Sequence, residues 1–170
     1  MSLSHEELVR ILDYDPVSGI FRWKENLSSR NTIGRIAGSV SKITGYVQIR
    51  IRRKLYYAHR LAWFYVHKNW PINVDHQNLD RADNRLDNLR EATKAQNNRN
   101  ALLSKNNSSG YKGVFKKSEN KFFARISHKS RSIHIGCYET AEDAAQAYDH
   151  KAIQLYGNFA QTNKMLGLIP

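Results

Sequence analysis

The seven residues from Ser104 to Gly110, SKNNSSG, hold no apolar anchor and are rich in turn formers. A stretch of that kind reads as a linker, and it divides the 170-residue chain into two small pieces. We take residues 1–104 as the first domain, 105–109 as the linker and 110–170 as the second domain. A hydrophobic fraction of 41% with 11% aromatics is enough for packed cores and too apolar for a wholly disordered chain. No fixed-period repeat runs through either piece.

The charge narrows the partner. The net charge is +12 and the isoelectric point about 9.9. Such an excess repels itself and suits a polyanion. It is also uneven: residues 105–137 carry eight basic side chains against one acid, and residues 138–170 carry two against four. A basic block followed by an acidic one suits a unit with one face for DNA and one turned away. Cys137 is the only cysteine, which excludes an internal disulfide framework and a zinc site built on several thiolates. No run approaches the roughly 18–20 apolar residues of a membrane span. No basic n-region leads into an apolar h-region, as secretion would need. The expectation is a soluble cytoplasmic protein without membrane contact, small-molecule cofactor or structural zinc.

In the first piece, Ser4 and Glu7 have capping-box spacing, and Leu8, Ile11 and Leu12 mark one helix face. Asp15-Pro16 and Ser18-Gly19 should end that helix in turns, with a short strand at Ile20 to Trp23. Residues 24–45 read as loops. Their neighbouring cations Arg22, Lys24, Arg30, Arg35 and Lys42 are candidates for extending a DNA track. Tyr46 to Ile51 and Leu55 to Ala58 predict a hairpin with a basic tip, followed by a helix over His59 to His67.

The chemistry-bearing residues come next. Ile72 to His76 reads as a short strand ending in Asp75 and His76. A polar loop spans Gln77 to Leu86. Asn88 to Ala92 reads as a second strand, and Thr93 with Gln96 has the spacing to cap a helix that carries Asn97. A carboxylate and an amide oxygen suit a hard ion such as Mg²⁺ or Mn²⁺. An imidazole near its ordinary pKa can accept a proton at neutral pH. Taken singly, each of these residues is as well explained by turn chemistry. The pattern lies in all four, in order, within a basic chain.

That layout resembles the HNH nucleases, whose small ββα-metal motif carries its chemistry on a strand, a loop, a second strand and a helix. The carriers are HRLAW at 59–63, VDHQNLDRADNRLDNLREAT at 74–93 and Asn97. They are most similar to the phage and intron-encoded branch, in which the last metal ligand is Asn rather than His. The resemblance implies a nuclease core over about residues 57–103 with an extension over 1–56. It implies Asp75 and Asn97 as ligands of one divalent ion, His76 as general base, and Asn88 holding the strand and loop behind it. It also implies 5′-phosphate and 3′-hydroxyl products. Arg60 is a candidate phosphate contact. His59 either faces the same cleft or fixes the helix start by hydrogen bonding. Asn84 either supports the site or is a turn residue.

The second piece reads as three strands, Tyr111 to Lys116, Lys121 to Ser127 and Ser132 to Gly136, then a helix capped by Thr140 with Ala144, Ala147, Tyr148, Ala152 and Leu155 on one stripe. It resembles the ethylene-response-factor (Apetala-two type) DNA-binding domain, through SGYKGV at 109–114, KFFARI at 121–126, IHIGCYETAEDAAQAYD at 133–149 and YGNFAQTN at 156–163. The resemblance implies a three-stranded sheet laid in the DNA major groove with the helix behind it. It puts Lys112, Lys117, Lys121, Arg125, Arg131 and His134 where that family contacts DNA. Plant domains often have Arg and Trp where Lys112, Phe123 and His134 stand here, so the lysines read as phosphate contacts. Cys137 reads as a packing residue.

The expected fold class is therefore α+β: a ββα-metal nuclease core plus a C-terminal three-stranded antiparallel sheet packed on one helix. The expected function is metal-dependent hydrolysis of double-stranded DNA in a bacterial host cell, by a monomer or weak dimer. A homing or phage nicking role follows only from the resemblance. Two rivals stand beside it. One is a non-catalytic DNA-binding regulator with a vestigial nuclease fold. The other is an RNA-directed or nonspecific toxin nuclease.

Overall fold

The computed structural model describes residues 3–27, 32–100, 103 and 107–170. Arg30 and linker residues 105 and 106 lie outside them. The chain divides into two compact units, residues 1–94 and 95–170.

The first unit opens with α1, His5–Ile11, whose N-terminus is capped by Ser4: the Oγ accepts the Glu7 N–H at 3.2 Å. The chain then runs straight into β1, Leu12–Asp15, where Leu12 was expected on the helix face, and the expected turn follows at residues 16–19. Leu12 and Tyr14 are buried while Asp13 and Asp15 face out, the period-two signature of a half-buried strand. β1 pairs antiparallel with β2, Ile20–Trp23. Asp15 closes the intervening turn by accepting from the Val17 N–H and the Ser18 hydroxyl. The stretch read as loop contains a strand too: β3, Ser39–Val40, pairs with β4, Val47–Ile51, which pairs with β5, Lys54–Tyr57. The β4–β5 tip turns through Arg52 and Arg53, both left-handed at φ 44° and 68°, and Arg52 pairs with Glu7 at 2.7 Å.

α2, Ala58–His67, buries Leu61, Ala62 and Phe64 in a core with Leu8, Ile11, Leu12 and Ile49. It stops at Lys68, left-handed at φ 60°. β6, Val74–His76, pairs antiparallel with β7, Leu89–Glu91, so that Asp75 lies opposite Arg90 and His76 opposite Leu89. A 3₁₀ turn, Leu86–Asn88, leads into β7. α3, Lys94–Arg99, begins at the boundary between the units.

In the second unit β8, Val114–Ser118, pairs with β9, Lys121–His128, which pairs with β10, Arg131–Tyr138, all antiparallel. α4, Ala141–Tyr156, lies against one face of that sheet, capped by Thr140, whose Oγ1 accepts the Asp143 N–H at 3.1 Å. The helix presents Ala144, Ala145 and Ala152 to Val114, Ala124 and Ile126. Small residues let the two backbones approach closely. At Gly113, φ +75°, an added Cβ would stand 2.0 Å from the Tyr148 ring, so only glycine fits. Asn163 is fully buried. Its Oδ1 accepts the Lys112 N–H at 2.6 Å, and its Nδ2 donates to Asp149 Oδ1 at 2.8 Å and to the Lys112 carbonyl at 3.2 Å. That one amide ties the entry loop, the helix and the C-terminal tail together. No helix among the described residues is long and apolar enough to cross a membrane.

Candidate active site and basic sheet face

Antiparallel pairing of β6 with β7 decides what surrounds Asp75 and His76. Because Asp75 stands directly opposite Arg90, the Arg90 Nε and Nη2 both donate to Asp75 Oδ2, at 2.9 and 2.7 Å. Asp75 is only 4% exposed, so this is a largely desolvated ion pair, which is strongly destabilised if either partner is removed. The sequence did not single out Arg90: a flush pairing of 72–76 with 88–92 would set Leu89 opposite Asp75, and the register found is shifted by one residue.

His76 is buried against aromatic rings, with His59 edge-on at 5.0 Å between centroids and Tyr46 at 5.8 Å. Its Nε2 lies 3.4 Å from Asn84 Oδ1. Burial pushes the His76 pKa below the ordinary value, against the opposing pull of Asn84, Asp75, Asp80 and Asp83. Burial thus favours the neutral imidazole at His76. Burial also depresses His59, to about 3, with the neighbouring His76 and Arg60 adding to the effect. The His59 Nδ1 is buried without a hydrogen-bond partner among the described residues. His59 thus packs between Tyr46, Tyr57 and His76 and does not cap α2 by hydrogen bonding.

Asn88 fastens the loop at both ends. Its Oδ1 accepts the Asn78 N–H at 3.0 Å, its Nδ2 donates to the Asp83 carbonyl at 2.8 Å, and its own carbonyl accepts the Gln77 N–H. Within the loop, Asp83 accepts from Arg85, which holds the Asp83 carboxyl down to about 2. Asn84 joins loop to strand: its side chain meets Ala82 and His76, and its carbonyl accepts the Tyr14 hydroxyl at 2.7 Å. The β1–β2 turn reaches the same place. The Leu86 N–H donates to the Pro16 carbonyl, and a Cβ on Gly19, φ +72°, would lie 2.4 Å from the Arg85 nitrogen. The N-terminal hairpin thus braces the loop behind His76, a role no local pattern in residues 1–45 announced.

Two expected DNA contacts are placed otherwise than on an open surface. Arg60 donates to the Pro71 carbonyl at 2.8 Å and the Ile72 carbonyl at 3.1 Å, tying α2 to the strand entry. Lys112 lies in the loop before β8, half-buried, with its Nζ on the Arg99 carbonyl at 3.0 Å. Burial lowers its pKa to about 8. Arg22 and Lys24 likewise donate to the Gly34 and Val9 carbonyls, while Arg35 and Lys42 are exposed.

Lys117, Lys121, Arg125, Arg131 and His134 are all exposed on β8–β10. Asn97 lies on α3 in the second unit, whereas Asp75, His76 and Asn88 lie in the first. No cluster of three or more His, Cys, Asp or Glu side chains suited to a metal ion occurs among the described residues.

Parts of the sequence resemble known proteins. Residues 56–99 match the HNH endonuclease family. The HNH stretch starts in β5 and runs through α2, β6, the 77–87 loop, β7 and α3. The chain is also 40% identical over 94 residues to an uncharacterized HNH endonuclease of Acanthamoeba polyphaga mimivirus, covering 55% of this chain and 48% of that protein. It is 37% identical over 70 residues to an ethylene-responsive transcription factor of Medicago truncatula, covering 40% of this chain and 29% of that one. The chain therefore spans less than half the length of either relative.

Proposed function

We propose that the chain is a divalent-metal-dependent HNH-type endonuclease that hydrolyses double-stranded DNA, held on its substrate by the basic sheet of the second unit. The observation that carries the reading is the HNH match falling on the strand, loop and strand that bury Asp75, His76 and Asn88. Asp75 and Asn97 would hold the ion. Their carboxylate and amide oxygens are hard donors that fit Mg²⁺ or Mn²⁺. When bound, the ion supplies Lewis acidity at the scissile phosphate. Arg90 balances the Asp75 charge in the protein alone.

The chain's own residues account for the proton. Burial favours the neutral form of His76, whose imidazole would take a proton from an attacking water. Asn84 beside Nε2 and the packed rings of His59 and Tyr46 fix its orientation. Asn88 keeps the loop from collapsing onto it. The exposed cations of β8–β10 suit phosphate contacts, and a tethered second binder raises the local concentration of the nuclease on its target.

The test is supercoiled plasmid incubated with the parent and with His76→Ala, in Mg²⁺, Mn²⁺ or EDTA, beside a duplex-binding assay. Metal-dependent nicking or linearisation by the parent, reduced more than about 100-fold in the variant with binding retained, is the expected result. Binding without cleavage of plasmid or of a random-sequence duplex library would replace the nuclease reading with that of a DNA-binding regulator.

A further inference from the structure

The face of β8–β10 turned away from α4 is not uniformly basic. The strand register sets Phe115 opposite Phe123, and Phe123 opposite Cys137, so one row across all three strands is apolar. Phe115 is 36% exposed and Cys137 is exposed. The two phenyl rings stack at 5.2 Å between centroids with 18° between their planes. The next row holds Arg125 opposite His134, and the Arg125 guanidinium lies 4.5 Å over the Phe115 ring. On the other side of the apolar row stands Lys121. The row thus sets Phe115 and Cys137, both exposed, and the half-buried Phe123 between cations on the outer face.

Its cations and spacing say which partner. Along β9, Lys121, Phe123 and Arg125 share this face, with charge on either side of the ring. At a rise of about 3.3 Å per residue, the two flanking cations start about 13 Å apart. The DNA major groove is about 12 Å wide. Cations at that spacing reach phosphates on both walls while the ring between them meets the floor. The floor offers one apolar group, the C5-methyl of thymine. Two stacked phenyls and a thiol have no hydrogen-bonding strength to offer a base edge, so a methyl is the feature they can distinguish.

We propose that the Phe115–Phe123–Cys137 row reads thymine methyl groups in the major groove, making it a specificity element of the sheet. The proposal rests on the reading of this sheet as a duplex-DNA binder and adds the base feature it selects. Arg125, held over Phe115, sets the row's edge and limits how far the ring tilts.

The experiment uses the full chain in EDTA. A duplex recovered from a random library by binding is remade with deoxyuridine replacing thymidine at one position at a time, which removes the methyl and keeps the base pair. The expected result is an affinity loss of about four-fold for each contacted thymine, the value of one buried methylene-sized group. In a Phe115→Ala, Phe123→Ala double variant the thymidine and deoxyuridine duplexes should bind equally. Both side chains lie on the outer face, away from the core, so circular dichroism should match the parent. Equal affinity of the parent for both duplexes overturns the proposal. So does a thymidine preference that survives in the double variant. Failure of the parent to bind any duplex at low salt removes the DNA-binding reading together with this one, whereas methyl-indifferent binding removes this one alone.

Discussion

Between β6 and β7 the polar side chains are turned inward. Asn84 and Asn88 are 2% and 5% exposed, and every bond they make shapes a loop or orients His76. On β8–β10 the side chains Lys117, Lys121, Arg125 and Arg131 stand in solvent, with no ion pair among them in the described residues. The difference teaches how to read polar residues in the two units. Buried ones are positioning devices whose loss is felt as structure, because an unpaired buried polar group costs free energy. Exposed ones act at long range, and salt screens them.

The second unit also contains a buried exception that marks the limit of this contrast. Asn163→Ala would remove the Asn163 acceptor from the Lys112 N–H and one of the three donors to the Asp149 carboxylate, and should lower stability by about 2 kcal/mol in chemical denaturation. Asn88→Ala should cost about 2 kcal/mol by the same argument and raise amide exchange across residues 77–87. If Asn88→Ala left that exchange unchanged, the loop would owe its shape to something else. Gly19→Ala should destabilise by more than about 1 kcal/mol, because its left-handed φ and the Arg85 backbone both exclude a Cβ.

The exposed side responds to salt. Replacing Lys117, Lys121 and Arg131 together by Gln should lessen the slope of log affinity against log salt by up to about 2.7, at ~0.9 for each phosphate no longer neutralised. His76→Ala should leave that slope alone. Equal slopes in the triple variant and the parent would break the division between positioning and long-range charges.

The smallest expected effect concerns Lys112. Its folded pKa is lowered to about 8 from 10.5, so between those values the unfolded chain binds more protons and stability rises with pH. A Lys112→Met variant lacks this gain. Its melting temperature relative to the parent should therefore fall as pH goes from 8 to 10, and a constant difference would mean the amine is not desolvated.

What could be read from the sequence follows the same division. The period-two pattern of 121–127 puts Phe122, Ala124 and Ile126 on one face and Phe123, Arg125 and Ser127 on the other, and the structure buries Ala124 and Ile126 while Arg125 is exposed. The same alternation in Leu12 to Asp15 was hidden behind the end of α1, since four residues after a helix also read as its frayed end. Arg60 and Lys112 were expected on DNA from their places in the sequence and in a family pattern, which record residue types and not the carbonyls that a fold brings to them. Asp75 and His76 stood out as neighbours in the chain. Arg90, Tyr46 and Tyr14 did not, because only strand pairing and tertiary packing bring them to the site.

The brace from the β1–β2 turn to the loop bears on how such a motif travels. The stretch carrying the family pattern, 56–99, leaves out Tyr14, Pro16 and Gly19, which touch the loop from the far N-terminus. Recombination that moved only the recognisable segment would carry off Asp75, His76 and Asn88 without the scaffold that shapes their loop. The heritable unit of this site is therefore longer than its signature, and a gene fragment trimmed to the signature would encode the letters of the motif but not its geometry.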